Sequence, residues 1–213
     1  MSQRNKQTIP YRLSAAVALA LTLFSLGFAR VAWADQDNAI GSGNSASANL
    51  DFRIQIPTFL VFRLGTAGAG NVDLIDFDLV TGAIVPGSGG PIAATAGSGD
   101  QGNGSVTVGI LTNANGNLST TVTAAATGLS DGGTNTISFA DITTDDTGTT
   151  LQAPQLVDGT SAAATTAVTG ITNTLASGQS WTYSYDNTAT PAAGTYGGVN
   201  VNDGRVTYAV ALP

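Results

Sequence analysis

The sequence predicts an all-β protein: an antiparallel β-sandwich of immunoglobulin-like or jelly-roll topology, with about nine or ten strands, preceded by a signal-peptide helix. Three observations carry this. Apolar residues recur at every second position in several short runs. Turn residues (Gly, Asn, Asp) separate those runs at short intervals. No run after residue 34 keeps an apolar period of 3.6 over several turns.

Residues 1–34 read as a cleaved Sec signal peptide. Arg4, Lys6 and Arg12 form a basic stretch, residues 14–28 an apolar core, and Ala32-Trp33-Ala34 a small-x-small cleavage site. The apolar run is shorter than the roughly 20 residues of a membrane span, and Arg30 follows it. Cleavage leaves 179 of the 213 residues. That length suits a single domain with a substantial core, and the expected location is secreted or at the cell surface, the periplasm included. No further segment is long and apolar enough for a membrane contact after cleavage.

The exported chain is strongly acidic. All 14 acidic residues are aspartates and all follow Ala34, where only Arg53, Arg63 and Arg205 remain as cations, a formal net charge of −11. Such a surface repels nucleic acid and anionic lipid. Cysteine and histidine are absent. Thiol and imidazole nucleophiles, Ser-His-Asp triads and ordinary zinc sites are thereby excluded.

Residues 35–48 (DQDNAIGSGNSASA) are small and polar and read as a flexible arm. The domain is expected over 49–213. Leu50, Phe52, Ile54 and Ile56 alternate with Asp51, Arg53 and Gln55, predicting a strand over 49–56. Pro57 breaks the ladder, and a second strand is predicted over 59–64 with Leu60, Phe62 and Leu64 on one face. Phe59 and Val61 make its other face apolar, so cover on both sides is expected. In 71–80 (NVDLIDFDLV) the apolar phase shifts from Val72 and Leu74 to Ile75, Phe77 and Leu79, which predicts a bulged strand. Residues 81–104, rich in Gly, Ser and Pro, read as a long loop.

Val106, Val108 and Ile110, then Leu118, Thr120 and Val122, alternate about Asn115-Gly116, which predicts a hairpin with a type I′ turn. TNTISFADI (134–142) and WTYSYD (181–186) read as strands. The Ala- and Thr-rich stretch 160–177 reads as strand or loop. A closing hairpin is predicted from 195–201 and 205–212 about Asn202-Asp203-Gly204.

Two stretches resemble known proteins. PAAGTYGGVNVNDGRVTYAVALP (191–213) resembles the terminal AGTY…G…VTY…P hairpin of bacterial secreted immunoglobulin-like β-sandwich proteins, such as WxL-type surface domains and pilin-like or fimbrial subunits. IQIPTFLVFRLG (54–65) resembles the entry strands of small secreted proteins of Gram-negative bacteria. The resemblance covers about 40 residues and implies a surface β-sandwich in a pilus or in cell adhesion. Where the WxL signature would stand the chain has Trp181-Thr182-Tyr183, so that family's cell-wall binding does not carry over. The cysteines common in chaperone–usher pilins are missing.

Candidate chemistry is sparse. Asp141, Asp145 and Asp146 form the best candidate calcium loop, since calcium takes six to eight oxygen ligands; Asp73, Asp76 and Asp78 form a second acidic group. The competing reading is that aspartate favours turns on an acidic surface. With no glutamate, and with aspartates placed at turns and strand edges, the pair of tuned carboxylates needed for glycoside hydrolysis is not evident. No enzymatic function is expected. Trp181, Tyr183, Tyr185, Tyr196 and Tyr208 offer either a carbohydrate-stacking platform or core packing, and their period of two favours the core.

The most apolar segment therefore carries the functional expectation. Leu50, Phe52, Ile54, Ile56, Leu60, Phe62 and Leu64 need cover. The segment either pairs as the first strand of its own domain or leaves it and fills a groove in a neighbour. Arg53 and Arg63 would then pair with the neighbour's aspartates, or else across strands of their own subunit. The expected function is a structural subunit of an extracellular filament, pilus or biofilm matrix, self-associating into a homopolymer or joining related surface subunits. The alternative is a monomeric exported adhesion or binding module, stabilised by calcium.

Overall fold

A computed structural model describes residues 37–80 and 85–213. The signal-peptide reading of residues 1–34 lies outside the described residues. The chain divides into two compact units at Gln55/Ile56. In the first, residues 37–55 carry neither helix nor strand and are exposed throughout. The predicted strand over 49–56 is thus absent, and the sandwich unit begins at residue 56 instead of 49. The alternation there is real, but no partner strand forms a ladder with it.

The second unit is all-β, with every ladder antiparallel. Eleven strands lie among the described residues: β1 (Leu60–Leu64), β2 (Ile92–Ala93), β3 (Ser105–Thr112), β4 (Gly116–Thr123), β5 (Leu129–Ser130), β6 (Thr136–Ile137), β7 (Ile142–Asp145), β8 (Ala164–Val168), β9 (Thr172–Asn173), β10 (Ser180–Tyr185) and β11 (Thr207–Ala211). The larger sheet runs β1-β3-β10-β2, with β7 also on β10 and β9 also on β3; a second sheet runs β11-β4-β8, and β5 pairs with β6. Among the described residues, no helix is long and apolar enough to cross a membrane.

Alternation explains the core. Val108 and Ile110 of β3, Leu118 and Val122 of β4, and Trp181, Tyr183 and Tyr185 of β10 are buried, and Leu151, Leu156 and Phe139 fill between them. The aromatic run of β10 is therefore core, as its period of two predicts. The indole Nε1–H of Trp181 donates to the Leu151 carbonyl at 3.1 Å, so the largest buried side chain leaves no polar atom unpaired.

Two predicted hairpins do not form. β3 and β4 lie in different sheets. Residues 113–115 carry the chain from one layer to the other, and Asn115 does not adopt the positive φ that a type I′ turn requires. Its side chain accepts from the Gly170 amide at 2.7 Å, while Val108 and Ile110 join Leu118 and Val122 in one core. At the C-terminus the turn exists, with Asn202 and Asp203 at φ 50° and 60° and Gly204 N–H donating to Val201, but 195–201 is not a strand and β11 pairs with β4.

Smaller expectations also shift. The 134–142 run breaks into β6, a 3-10 turn at Phe139–Asp141 and the start of β7. Residues 71–80 form no regular ladder, although the Thr95 and Gly99 amides donate to the Asp76 and Leu74 carbonyls. The phase shift is borne out there: Ile75, Phe77 and Leu79 pack on the core, while Val72 and Leu74 are exposed. β1 is covered on one face only, since Phe59 and Val61 are 38% and 45% exposed. The stretch 160–177 gives β8 and β9, as strand or loop.

Asn187 is a buried organiser that the sequence did not announce. It sits in the left-handed region at φ 52°, which asparagine tolerates better than most residues. Its Nδ2 donates to the Val85 carbonyl and to Ser88 Oγ, both at 3.1 Å, and its Oδ1 accepts from the Gly87 amide at 3.1 Å. Asn187→Ala removes all three bonds, each worth about 0.5–1.5 kcal/mol net, and unties the exposed segment 85–88 from the buried Asn187. The expected result is a loss of about 2–4 kcal/mol, read as a lower urea midpoint with an unchanged slope.

Candidate functional site

The second unit contains an open apolar cleft of about 1190 Å³. Phe62 and Leu64 of β1, with Tyr183 and Tyr185 of β10, line one side, and Val206 and Tyr208 line the other. Small-molecule pockets span roughly 300–1,000 Å³, so this cleft exceeds the usual range. It runs between strands that end their sheets, because β1 terminates the larger sheet and β11 the second.

Residues 74–79 form part of its wall. Leu74 and Asp76 direct their carbonyls inward to Gly99 and Thr95. In extended chain, successive peptide groups point to opposite sides. The main-chain groups of Ile75 and Phe77 therefore face the outer edge, and among the described residues they have no hydrogen-bond partner. Their side chains face the core, with Phe77 against Tyr185 at a centroid distance of 6.1 Å.

The cleft is organised by tyrosines. Tyr183 donates its hydroxyl to that of Tyr208 at 2.9 Å, joining the two sheets, and Tyr208 stacks obliquely on Trp181 at 5.5 Å. The hydroxyl of Tyr185 is buried and, among the described residues, has no hydrogen-bond partner. A buried, unpaired hydroxyl costs about 1–3 kcal/mol. Burial, then the charges of Asp141 and Asp186, push its pKa up. Gly104 lets β10 approach: it adopts φ +80°, accepts from the Tyr183 amide, and a Cβ there would stand 2.8 Å from the Ala94 Cβ.

Burial holds Tyr183 well above the ordinary phenol value and pushes Tyr208 from 10.0 to about 12, an effect that the hydrogen bond from Tyr183 partly offsets at Tyr208. Both phenols are therefore held neutral in the fold. Below pH 10 the unfolded chain's tyrosines are neutral too, and stability is unaffected. Between pH 10 and 12 the unfolded chain releases protons that the folded one retains, so stability falls as pH rises. After residue 34 there is no lysine to obscure this limb. Thermal melts from pH 9 to 12 should show the decline, and the Tyr183→Phe, Tyr208→Phe double variant should flatten it.

The apolar assembly residues fall into two groups. Leu60, Phe62 and Leu64 pack against the core. Leu50, Phe52, Ile54 and Ile56 stand 75%, 86%, 86% and 73% exposed. Pairing of the latter group as an ordinary first strand is not what the structure contains. Of the two arginines, Arg63 is engaged within its own chain: its guanidinium lies 3.6 Å from Asp100, and its Nε donates to the Gly65 carbonyl at 3.0 Å. Of the two readings, Arg63 thus takes a partner within its own subunit, and the question of a neighbour's aspartate stays with Arg53.

The calcium expectation is corrected. Asp141 and Asp145 lie at opposite ends of β7, where a rise of about 3.3 Å per residue holds them apart. Among the described residues, no three carboxylates gather to hold a metal ion. The environments of the three differ as well. Burial, then Asp186 and Asp158, raise the pKa of Asp141, whereas hydrogen bonds from Thr147 lower that of Asp145, and Asp146 accepts from the Ala153 amide at 2.9 Å. Elsewhere the aspartates act as loop clamps, as in Asp73 on Thr66, Asp100 on Thr107 and Asp158 on Phe139.

The cleft is not legible in the sequence, because its walls come from runs more than 100 residues apart. Comparison with protein-family models, with curated proteins and with solved structures found no match for this chain.

Proposed function

We propose that this chain is a non-enzymatic structural subunit of an extracellular filament, pilus or biofilm matrix, assembled by β-strand addition through its N-terminal segment. The observation that supports this is the exposed alternation of Leu50, Phe52, Ile54 and Ile56 on an extended segment without a ladder partner. Four such side chains, left uncovered in water, represent about 1.5–3 kcal/mol each of unrealised burial. Strand addition supplies both main-chain pairing and pockets for alternate side chains. A head-to-tail contact that does not close propagates into a fibre.

The test is sizing and negative-stain microscopy of the chain from residue 35, beside a variant lacking residues 35–57. Polymers are expected from the first and monomers from the second. A chain from residue 35 that stays monomeric at high concentration overturns the proposal. In that case a monomeric adhesion module becomes the reading.

A further inference from the structure

Resting on that reading, we propose that the acceptor for residues 50–56 is the cleft of a second copy of this chain, where the segment lies as an added strand along the outer edge of residues 74–79.

Four features of the molecule converge on this. The first is the edge itself, since the main-chain groups of Ile75 and Phe77 point outward and lack partners among the described residues. The second is pattern. In a strand laid there, Phe52, Ile54 and Ile56 share a face, as do Ile75, Phe77 and Leu79, and both faces turn to the same apolar space. The third is charge. On the opposite face the segment presents Arg53 beside Asp51, and the wall presents Asp76. Opposite charges on neighbouring strands attract and like charges repel, which favours a register that sets Arg53, and not Asp51, beside Asp76. The fourth is room, since the cleft of about 1190 Å³, lined by Phe62, Leu64 and Val206, is wide enough for an added strand.

The occupant is a second copy because the chain just before β1 is held. Asn113 Nδ2 donates to the Pro57 carbonyl, and Asn113 Oδ1 accepts from the Phe59 amide, both at 3.0 Å. Thr112 Oγ1 donates to the Phe59 carbonyl at 2.7 Å. In their own chain the residues just before this anchor gain no cover, with Phe52 and Ile54 both 86% exposed. A neighbour's segment is not tied to this anchor.

The chain has no cysteine, so engineered thiols report without background. An isotopically labelled Ile54→Cys chain is mixed with an unlabelled Phe77→Cys or Ile75→Cys chain, all from residue 35, and treated with a short bismaleimide that tolerates a small register offset. Thr165→Cys, exposed on β8, is the control partner. Melting curves confirm that each variant is folded, and two wall positions guard against the loss of one. Mixed dimers through position 77 or 75, in at least tenfold excess over position 165, are expected. Polymers that form while wall and control positions cross-link equally overturn the acceptor and leave the assembly reading standing. Cross-links confined to single chains of an Ile54→Cys, Phe77→Cys double variant overturn the second copy as occupant. Neither polymers nor cross-links overturns both.

Discussion

Chains carrying Phe52→Asp and Ile54→Asp should remain monomeric at concentrations where the parent polymerises, with an unchanged melting temperature. Both residues are 86% exposed and precede the compact unit that begins at Ile56, so their replacement removes nothing from that unit's core. In a polymer each would bury a side chain for about 1.5–3 kcal/mol. Losing both costs about 3–6 kcal/mol, and every 1.4 kcal/mol is tenfold. The critical concentration should therefore rise by roughly 10²- to 10⁴-fold, and a buried carboxylate adds to that. Sedimentation across a concentration series measures it. A double variant that polymerises like the parent would show that this face does not make the contact. A matched pair at Asp51 and Gln55, on the other face, should have a much smaller effect.

Trp181→Ala should produce the largest loss of stability. The side chain is fully buried near the start of β10, and its indole N–H satisfies the Leu151 carbonyl. Truncating a buried tryptophan costs about 3–5 kcal/mol through lost transfer energy and the cavity left behind. The orphaned carbonyl adds about 1–3 kcal/mol. Against a total of about 5–15 kcal/mol, this brings the fold near its limit. For a domain of this size, each kcal/mol lowers the melting temperature by about 2–4 °C, so a fall of at least about 6 °C is expected. Trp181→Phe keeps most of the volume and should cost less. Circular dichroism melts settle it, and a shift under 2 °C for the alanine variant would contradict the placement of Trp181.

The sequence disclosed period more faithfully than partnership. Trp181, Tyr183 and Tyr185 declared a buried face, and they have one. The phase change within 71–80 identified Ile75, Phe77 and Leu79 as inward-facing, which they are. Asn115-Gly116 misled because a dipeptide suited to a tight turn also suits a corner, and which of the two forms depends on where Val108 and Leu118 find cover. The strand predicted over 49–56 has the right alternation and no ladder, since pairing needs a partner that alternation cannot name. The clustered aspartates looked like ligands in one dimension. In three they are spread along a strand and used as turn clamps. The cleft was illegible because distant segments enclose it.

The crossing at residues 113–115 has a kinetic consequence. Because β3 and β4 stand in opposite layers, the two longest strands in the middle of the chain form no local hairpin, and the short β5–β6 pair is the local one that remains among the described residues. β3 pairs with β1, whose Leu64 meets Val108, 44 residues away, and with β10, whose Ser180 meets Thr107, 73 residues away, while β4 pairs with β8 and β11. Such distant closures slow a search, placing this topology with proteins that fold in milliseconds to seconds and not in microseconds. A newly made chain would stay unfolded for that interval, with the residues destined for both layers open to whatever meets them first.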